Sequence, residues 1–145
     1  MSKYNAKKAT RSIATEYEEQ KALVEWLRIK KIMHFSNHNE NNTYKQDRRY
    51  AMIAEQKAKA SGKVKGVSDI CVMLPNKILF IELKRKPKIL KSGKLSVAHT
   101  KVSKEQQAFL DRVNMFDYAA GIVAYGWHQA RDFINKELET LLPIE

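Results

Sequence analysis

The chain has 145 residues, of which 43% are hydrophobic and 30% charged, a composition typical of one globular domain and unlike a disordered chain. The single cysteine, Cys71, excludes an internal disulfide and a cysteine-built zinc site, and it favours a reducing, cytoplasmic compartment. The 27 Lys and Arg residues against 16 Asp and Glu residues give a net charge of +11, which favours a polyanionic partner, nucleic acid before an anionic membrane surface.

The N-terminal residues 1–14 are predicted to form a disordered basic arm, and residues 15–145 a single domain. Lys3, Lys7, Lys8 and Arg11 precede the first acidic residue, Glu16. A mitochondrial presequence is the alternative interpretation of this arm. No apolar run reaches the roughly 18 residues of a membrane-spanning helix, so no membrane-spanning segment is predicted.

The first part of the domain is predicted to alternate helix and strand. Thr15 and Glu18 fit a capping box, and apolar residues then recur at helical spacing, as in an amphipathic helix. A second helix is predicted to end at Ser61-Gly62. The predicted elements are a helix over residues 16–30, a strand over 32–35, a loop over 37–43 and a helix over 44–60.

The second part of the domain begins with a predicted β-hairpin. Two apolar runs, 69–74 and 78–84, flank a turn at Pro75-Asn76-Lys77. Residues 85–101 contain six Lys or Arg residues and no acid, and are predicted to be a long basic loop. A capping box at Ser103 and Gln106, a strand over 119–125 and a last helix follow. The order α-β-α-β-β-α-β-α predicts a mixed α/β domain around a central sheet.

The hairpin brings acidic and basic residues together. If its turn is centred between Pro75 and Asn76, Asp69 lies opposite Glu82, with Cβ atoms roughly 4.5–5.5 Å apart. Carboxylates this close repel unless a proton or cation lies between them. Strand alternation places Lys84 on the face of Glu82, where a lysine can orient a water molecule beside Mg²⁺. The alternative is that all three are solvated residues at the end of a hairpin.

Basic residues flank this acidic pair in the sequence on both sides. An acidic metal site that admits a polyanion needs surrounding cations, so these residues are predicted to bind nucleic acid. No base-reading motif such as a zinc finger is present in the sequence. The predicted nucleic-acid-binding residues are Lys63, Lys65, Arg85, Lys86, Lys88, Lys91 and Lys94.

The run Gly66-Val67-Ser68-Asp69, followed after twelve residues by Glu82-Leu83-Lys84, resembles the split motif of the PD-(D/E)XK nuclease superfamily. Ser68 stands where that motif has proline. Over residues 15–140 the chain further resembles the VRR-NUC family, as a stand-alone member of the bacterial or phage type. The motifs that carry this likeness are Glu16 to Gln20, Asn39-Glu40, Lys63 to Gly66, the split motif and Ser103 to Gln106.

The resemblance implies a restriction-endonuclease-like fold and Mg²⁺- or Mn²⁺-dependent hydrolysis of DNA. It implies metal ligation by Asp69 and Glu82, with the Leu83 carbonyl as a third ligand, and a water positioned by Lys84. Glu16 would reach the site as an extra ligand or through a metal-bound water, with Glu19 as its rival. Gln106 would support the site or touch the scissile strand. Asn39 and Glu40 would line it.

The resemblance also implies branched DNA, a Holliday junction or a flap, as the substrate, and a homodimer. The alternative function is a non-catalytic nucleic-acid-binding module with the same fold. Cys71 is predicted to be a small buried hydrophobe. The histidines lack metal-ligand spacing and are predicted to be structural or solvent-facing; they are His34, His38, His99 and His128.

Overall fold

The computed structural model describes residues 13–37 and 48–141. Most of the predicted basic arm, His38, Asn39, Glu40 and the predicted beginning of the second helix lie outside these residues. The elements in chain order are α1 (Glu16–Ile29), β1 (Met33–Ser36), α2 (Arg48–Ala60), β2 (Ile70–Met73), β3 (Ile78–Lys84), β4 (Lys88–Ile89), β5 (Leu95–Ser96), α3 (Lys104–Val113), β6 (Ala119–Tyr125) and α4 (Trp127–Glu139).

The central sheet has four strands in the order β1-β2-β3-β6. The first three strands pair antiparallel, and β6 pairs parallel to β3 after the crossover through α3. The sheet is therefore mixed and has helices on both faces, which confirms the predicted fold class. Because β3 lies inside the sheet, the residues at its end are held by neighbours on both sides.

The two faces of β3 carry different chemistry. Leu79, Ile81 and Leu83 are fully buried and belong to the apolar core that α1 and α4 contribute to. The alternate residues face α3, where the rings of Phe80 and Phe109 meet edge to face with centroids 5.3 Å apart. Glu82 and Lys84 continue this second face, so α3 is the helix that covers the charged end of the strand.

The helix ends follow the predicted capping signals. Capping boxes at Thr15 and Ser103 begin α1 and α3. After α1 the chain turns at Lys31, whose φ is 56°, and the Ile32 N–H donates to the Leu27 carbonyl in a Schellman motif. No helix in the described ranges is both long and apolar enough to cross a membrane.

The predicted loop over residues 85–101 is wrong in part, because this segment contains the β4–β5 hairpin. Gly93 adopts a φ of 79°, which lets the chain reverse, and the Leu90 N–H donates to the Lys94 carbonyl across the turn. The described element order therefore has two more strands than predicted. The short strands follow Lys84 directly and stand beside the central sheet's charged end.

Candidate active site

The β2–β3 register places Asp69 where the turn geometry predicts. Ile70 lies opposite Ile81 and Met73 opposite Ile78, so Asp69, one residue before β2, continues the register opposite Glu82. The Asp69 Oδ2 accepts a hydrogen bond of 2.8 Å from the Leu83 N–H. This bond holds the carboxylate across the end of β3.

Glu82 is a buried carboxylate whose two oxygens have different surroundings. Its side chain is 1% exposed, and Oε1 accepts hydrogen bonds from Lys84 Nζ at 2.9 Å and from Gln106 Nε2. Oε2 is buried and has no hydrogen-bond partner in the described part of the chain. The pKa of Glu82 is raised to about 7, chiefly by burial, with the hydrogen bond from Lys84 lowering it and the negative charge of Asp69 adding to the rise.

Lys84 is also buried, at 8% exposure. Burial alone lowers the pKa of its ammonium group, but the hydrogen bond to Glu82 and the charges of three carboxylates outweigh burial, so that the pKa is raised. Lys84 therefore stays protonated at neutral pH. The site holds a fixed positive charge among acidic groups.

Gln106 serves the α3 cap and the site at once. Its Oε1 accepts from the Ser103 N–H at 2.9 Å, while its Nε2 donates to Glu82. The turn before Asp69 packs against the same helix end: a Cβ on Gly66 would lie 2.3 Å from the Glu105 carbonyl, and Gly66 has a φ of 79°. Only glycine fits this approach, which fixes α3 against the acidic pair.

Glu16 reaches the same group of charges from the first turn of α1. Burial raises the pKa of Glu16, the charge of Lys84 lowers it, and that of Asp69 raises it. Glu16 and Lys84 line a cleft of about 560 Å³ together with Val97, Ala98, His99 and Lys101. The structure thus gathers Asp69, Glu82, Lys84, Glu16 and Gln106 at one end of β3.

The rival candidate Glu19 does not belong to this site, so that alternative is wrong. Its side chain is buried, and its Oε2 accepts a 2.7 Å hydrogen bond from the Trp127 N–H, at the beginning of α4. The cap residue of that helix, Gly126, has no side chain to satisfy this donor. Glu19 therefore caps α4 from a neighbouring helix.

The oxygen atoms of the acidic pair are candidate ligands for a divalent cation. Within the described ranges, no group of three or more His, Cys, Asp or Glu side chains is arranged to hold a metal ion. The acidic pair nevertheless offers oxygen ligands, because Glu82 Oε2 is buried without a partner. The Leu83 N–H points toward Asp69, and the carbonyl of a strand residue points to the same side as its N–H. Carboxylate and carbonyl oxygens are the ligand types that Mg²⁺ and Mn²⁺ prefer in proteins.

The predicted nucleic-acid-binding residues lie on two segments beside the site. The turn with Lys63 and Lys65 adjoins α3, and Lys63 Nζ lies 3.3 Å from Glu55 Oε2. The other segment follows Lys84 directly and carries the β4–β5 hairpin. Its basic residues are the half-buried Arg85 and the exposed Lys86, Lys88, Lys91 and Lys94.

Sequence reasoning missed His99 and Lys101 as residues of the cleft. Their spacing carries no signal, since only the turn after β5 brings them beside Glu16. Two other histidines have structural surroundings as predicted: His34 Nδ1 lies 2.7 Å from the Ile32 carbonyl, and the His128 ring stacks on Trp127 with centroids 4.1 Å apart. Cys71 is buried, as predicted.

Comparisons with known proteins define the class of fold. No protein-family model matches the chain, and no curated protein matches it. A solved structure described as "VRR_NUC domain protein" is similar with a TM-score of 0.55, at 14% identity, over 88% of this chain and 91% of that chain. At this identity the likeness establishes the fold. The chain has the restriction-endonuclease-like fold, which it shares with that VRR_NUC domain protein.

Proposed function

We propose that the chain is a VRR-NUC-type endonuclease that hydrolyses DNA phosphodiester bonds with Mg²⁺ or Mn²⁺. The observation that carries this proposal is the convergence of Asp69, Glu82 and the buried Lys84 at the end of β3. Burying the Glu82 carboxylate and the Lys84 ammonium group beside a partly buried Asp69 costs stability and is typical of functional sites. Glu82 and Lys84 are 1% and 8% exposed, which does not fit the alternative that they are solvated residues at the end of a hairpin.

The residues divide the chemistry among them. Asp69, Glu82 and the Leu83 carbonyl would hold the cation, with Glu16 as an additional ligand. The ion, when bound, supplies positive charge that acidifies a water molecule and stabilises the charge on the scissile phosphate. The Lys84 ammonium would donate to the attacking water and orient it. Gln106 would hold the Glu82 carboxylate in place from α3.

The two basic segments would bind the DNA backbone. Lys63 and Lys65 approach from the α3 side, and Lys88, Lys91 and Lys94 stand on the β4–β5 hairpin. Contacts of lysine with phosphates carry no sequence information, so DNA shape would decide the substrate. We therefore propose branched DNA, a junction or a flap, as the preferred substrate.

We also propose that the chain acts as a homodimer, because symmetric cutting of two strands needs two related sites. Exposed apolar side chains on α2 support this proposal: Tyr50, Met52 and Ile53 are 67%, 62% and 44% exposed. Sedimentation equilibrium tests it. A dimer that becomes monomeric in Ile53→Glu supports the proposal, and a monomer at all concentrations contradicts it.

A second candidate function is a nucleic-acid-binding module without catalysis. The ion pair between Lys84 and Glu82 favours it, since the carboxylate is already turned toward Lys84 and Gln106 in the described chain. This function shares the basic segments with the first. The two differ in whether bound DNA is cut.

The deciding experiment incubates the chain with a four-way junction, a flap and a linear duplex, each in Mg²⁺, in Mn²⁺ and in EDTA. Asp69→Asn and Glu82→Gln change the acidic pair at nearly constant shape. Glu19→Gln is the matched control, since Glu19 is a buried glutamate outside the site. We expect cleavage by the parent and the control only, while all variants bind DNA. Binding by the parent without cleavage in either metal would support the binding module.

A further inference from the structure

A tight turn follows β5 at residues 97–100, beside the charged cluster. The Thr100 N–H and hydroxyl both donate to the Val97 carbonyl, at 3.3 and 2.7 Å. The Thr100 side chain is buried, and it anchors the turn without any contribution from the exposed His99 side chain. The backbone of His99 is left-handed, with a φ of 61°.

This conformation is uncommon for residues with a side chain, although Asn, Asp and His adopt it more often than the others. Within the described ranges, one other non-glycine residue has a positive φ, Lys31. Lys31 closes the Schellman motif of α1, where such a conformation is ordinary. His99 ends no helix. A glycine would make the same turn without strain, which indicates that the histidine side chain has a use.

The His99 side chain faces the cleft of about 560 Å³ that Glu16, Lys84 and Lys101 also line. It lies close enough to Glu16 for its charge to act on that carboxylate: burial raises the pKa of Glu16, and the charges of Lys84 and His99 oppose that rise. The cleft thus presents two lysine ammonium groups and an imidazole around one carboxylate. Ammonium groups and an imidazole N–H are hydrogen-bond donors that fit the oxygens of an anion such as a phosphate.

We propose that His99, together with Lys101, binds a phosphate of the DNA strand next to the scissile bond, across the cleft from Lys84. This inference rests on the proposed function and adds a phosphate subsite to it. An imidazole N–H donates to a phosphate oxygen in either protonation state, and Lys101 adds a full positive charge.

The test uses three variants of the full chain. His99→Gly removes the ring and the strain together, and His99→Asn keeps an N–H donor in a residue that tolerates a left-handed backbone. Lys31→Gly relieves the other strained position, far along the chain at the end of α1, and is the matched control. The measurements are KM and kcat for cleavage, the Kd for a labelled junction in EDTA by anisotropy, and Tm.

For His99→Gly we expect a Tm at or above that of the parent, with KM and Kd raised about tenfold, as for the loss of one charge-assisted hydrogen bond. His99→Asn should recover part of this loss. Lys31→Gly should keep the parent's KM and Kd. An unchanged KM and Kd in His99→Gly overturns the phosphate subsite, and so does a large fall in Tm, which would indicate a structural role.

The anisotropy measurement separates this inference from the proposed function, since it does not depend on cleavage. A parent that binds DNA but never cuts it contradicts the proposed hydrolysis. In that case the Kd of His99→Gly alone decides the phosphate subsite. If His99→Gly cuts DNA as well as the parent does, the phosphate subsite is contradicted, whereas the proposed hydrolysis is supported.

Discussion

The substitution Glu82→Gln isolates the electrostatic cost of the buried carboxylate. Folding raises the pKa of Glu82 from 4.5 to about 7, chiefly through burial. Between these values the native protein holds a proton that the unfolded chain has released. The contribution of Glu82 to the free energy of unfolding therefore falls as the pH rises from 4.5 to about 7. The shift corresponds to about 3 kcal/mol.

The glutamine variant lacks this titration and keeps nearly the same shape. In the parent, burial lowers the pKa of Lys84, but the hydrogen bond and charge of Glu82 and the charges of Glu16 and Asp69 raise it overall, so Lys84 does not change the slope. In the variant the loss of Glu82 lowers the pKa of Lys84, which acts in the same direction as the difference expected from Glu82 itself. Asp69 and Glu16 titrate in both proteins. We therefore expect the stability of Glu82→Gln relative to the parent to increase by about 3 kcal/mol as the pH rises from below 4.5 to 8.

Urea unfolding in EDTA at half-unit steps between pH 5 and pH 8 measures this difference and should capture most of it. Glu19→Gln provides a control that changes a buried glutamate outside the site. Parallel curves of the free energy of unfolding against pH for Glu82→Gln and the parent would refute the reasoning. They would mean that folding does not raise the pKa of Glu82.

Further predictions concern capping, packing, chemistry and DNA binding. Glu19→Ala should lower the free energy of unfolding by about 1–2 kcal/mol through loss of the α4 cap, with cleavage unchanged, as urea unfolding and a nuclease assay would reveal. Gly66→Ala should cost about 2–4 kcal/mol, because its Cβ meets the α3 backbone at 2.3 Å; a stable variant contradicts this. Lys84→Met should lower kcat by about 10²-fold or more while junction binding persists; retained cleavage contradicts its role. The double substitution of Lys91 and Lys94 by Ala should reduce the slope of log Kd against log salt by about two, and an unchanged slope places the DNA elsewhere.

The hairpin that carries the acidic pair could be predicted because its determinants are local. Pro75 and Asn76 set the turn, and a period of two residues then fixes Asp69 against Glu82. The capping boxes at Thr15 and Ser103 are local as well. Each of these signals spans fewer than about 16 residues, so no knowledge of tertiary packing was needed.

The parts that could not be predicted depend on contacts between distant segments. Glu19 and Glu16 look alike in the sequence, and only the approach of Trp127 distinguishes a capping glutamate from one beside the site. The strained backbone of His99 has no sequence signature, because a left-handed residue is recognised from sequence mainly when it is glycine. The short β4–β5 pairing could not be predicted, because lysines interrupt the apolar residues of this segment.

The proposed function requires a divalent cation between Asp69 and Glu82. Anomalous diffraction from crystals grown with Mn²⁺ tests this most directly, because it locates the ion without reference to activity. We expect one strong peak within ligand distance of Asp69, Glu82 Oε2 and the Leu83 carbonyl, and none in Asp69→Asn. A parent structure without a peak there, with Lys84 still paired to Glu82, would contradict the proposed cation site.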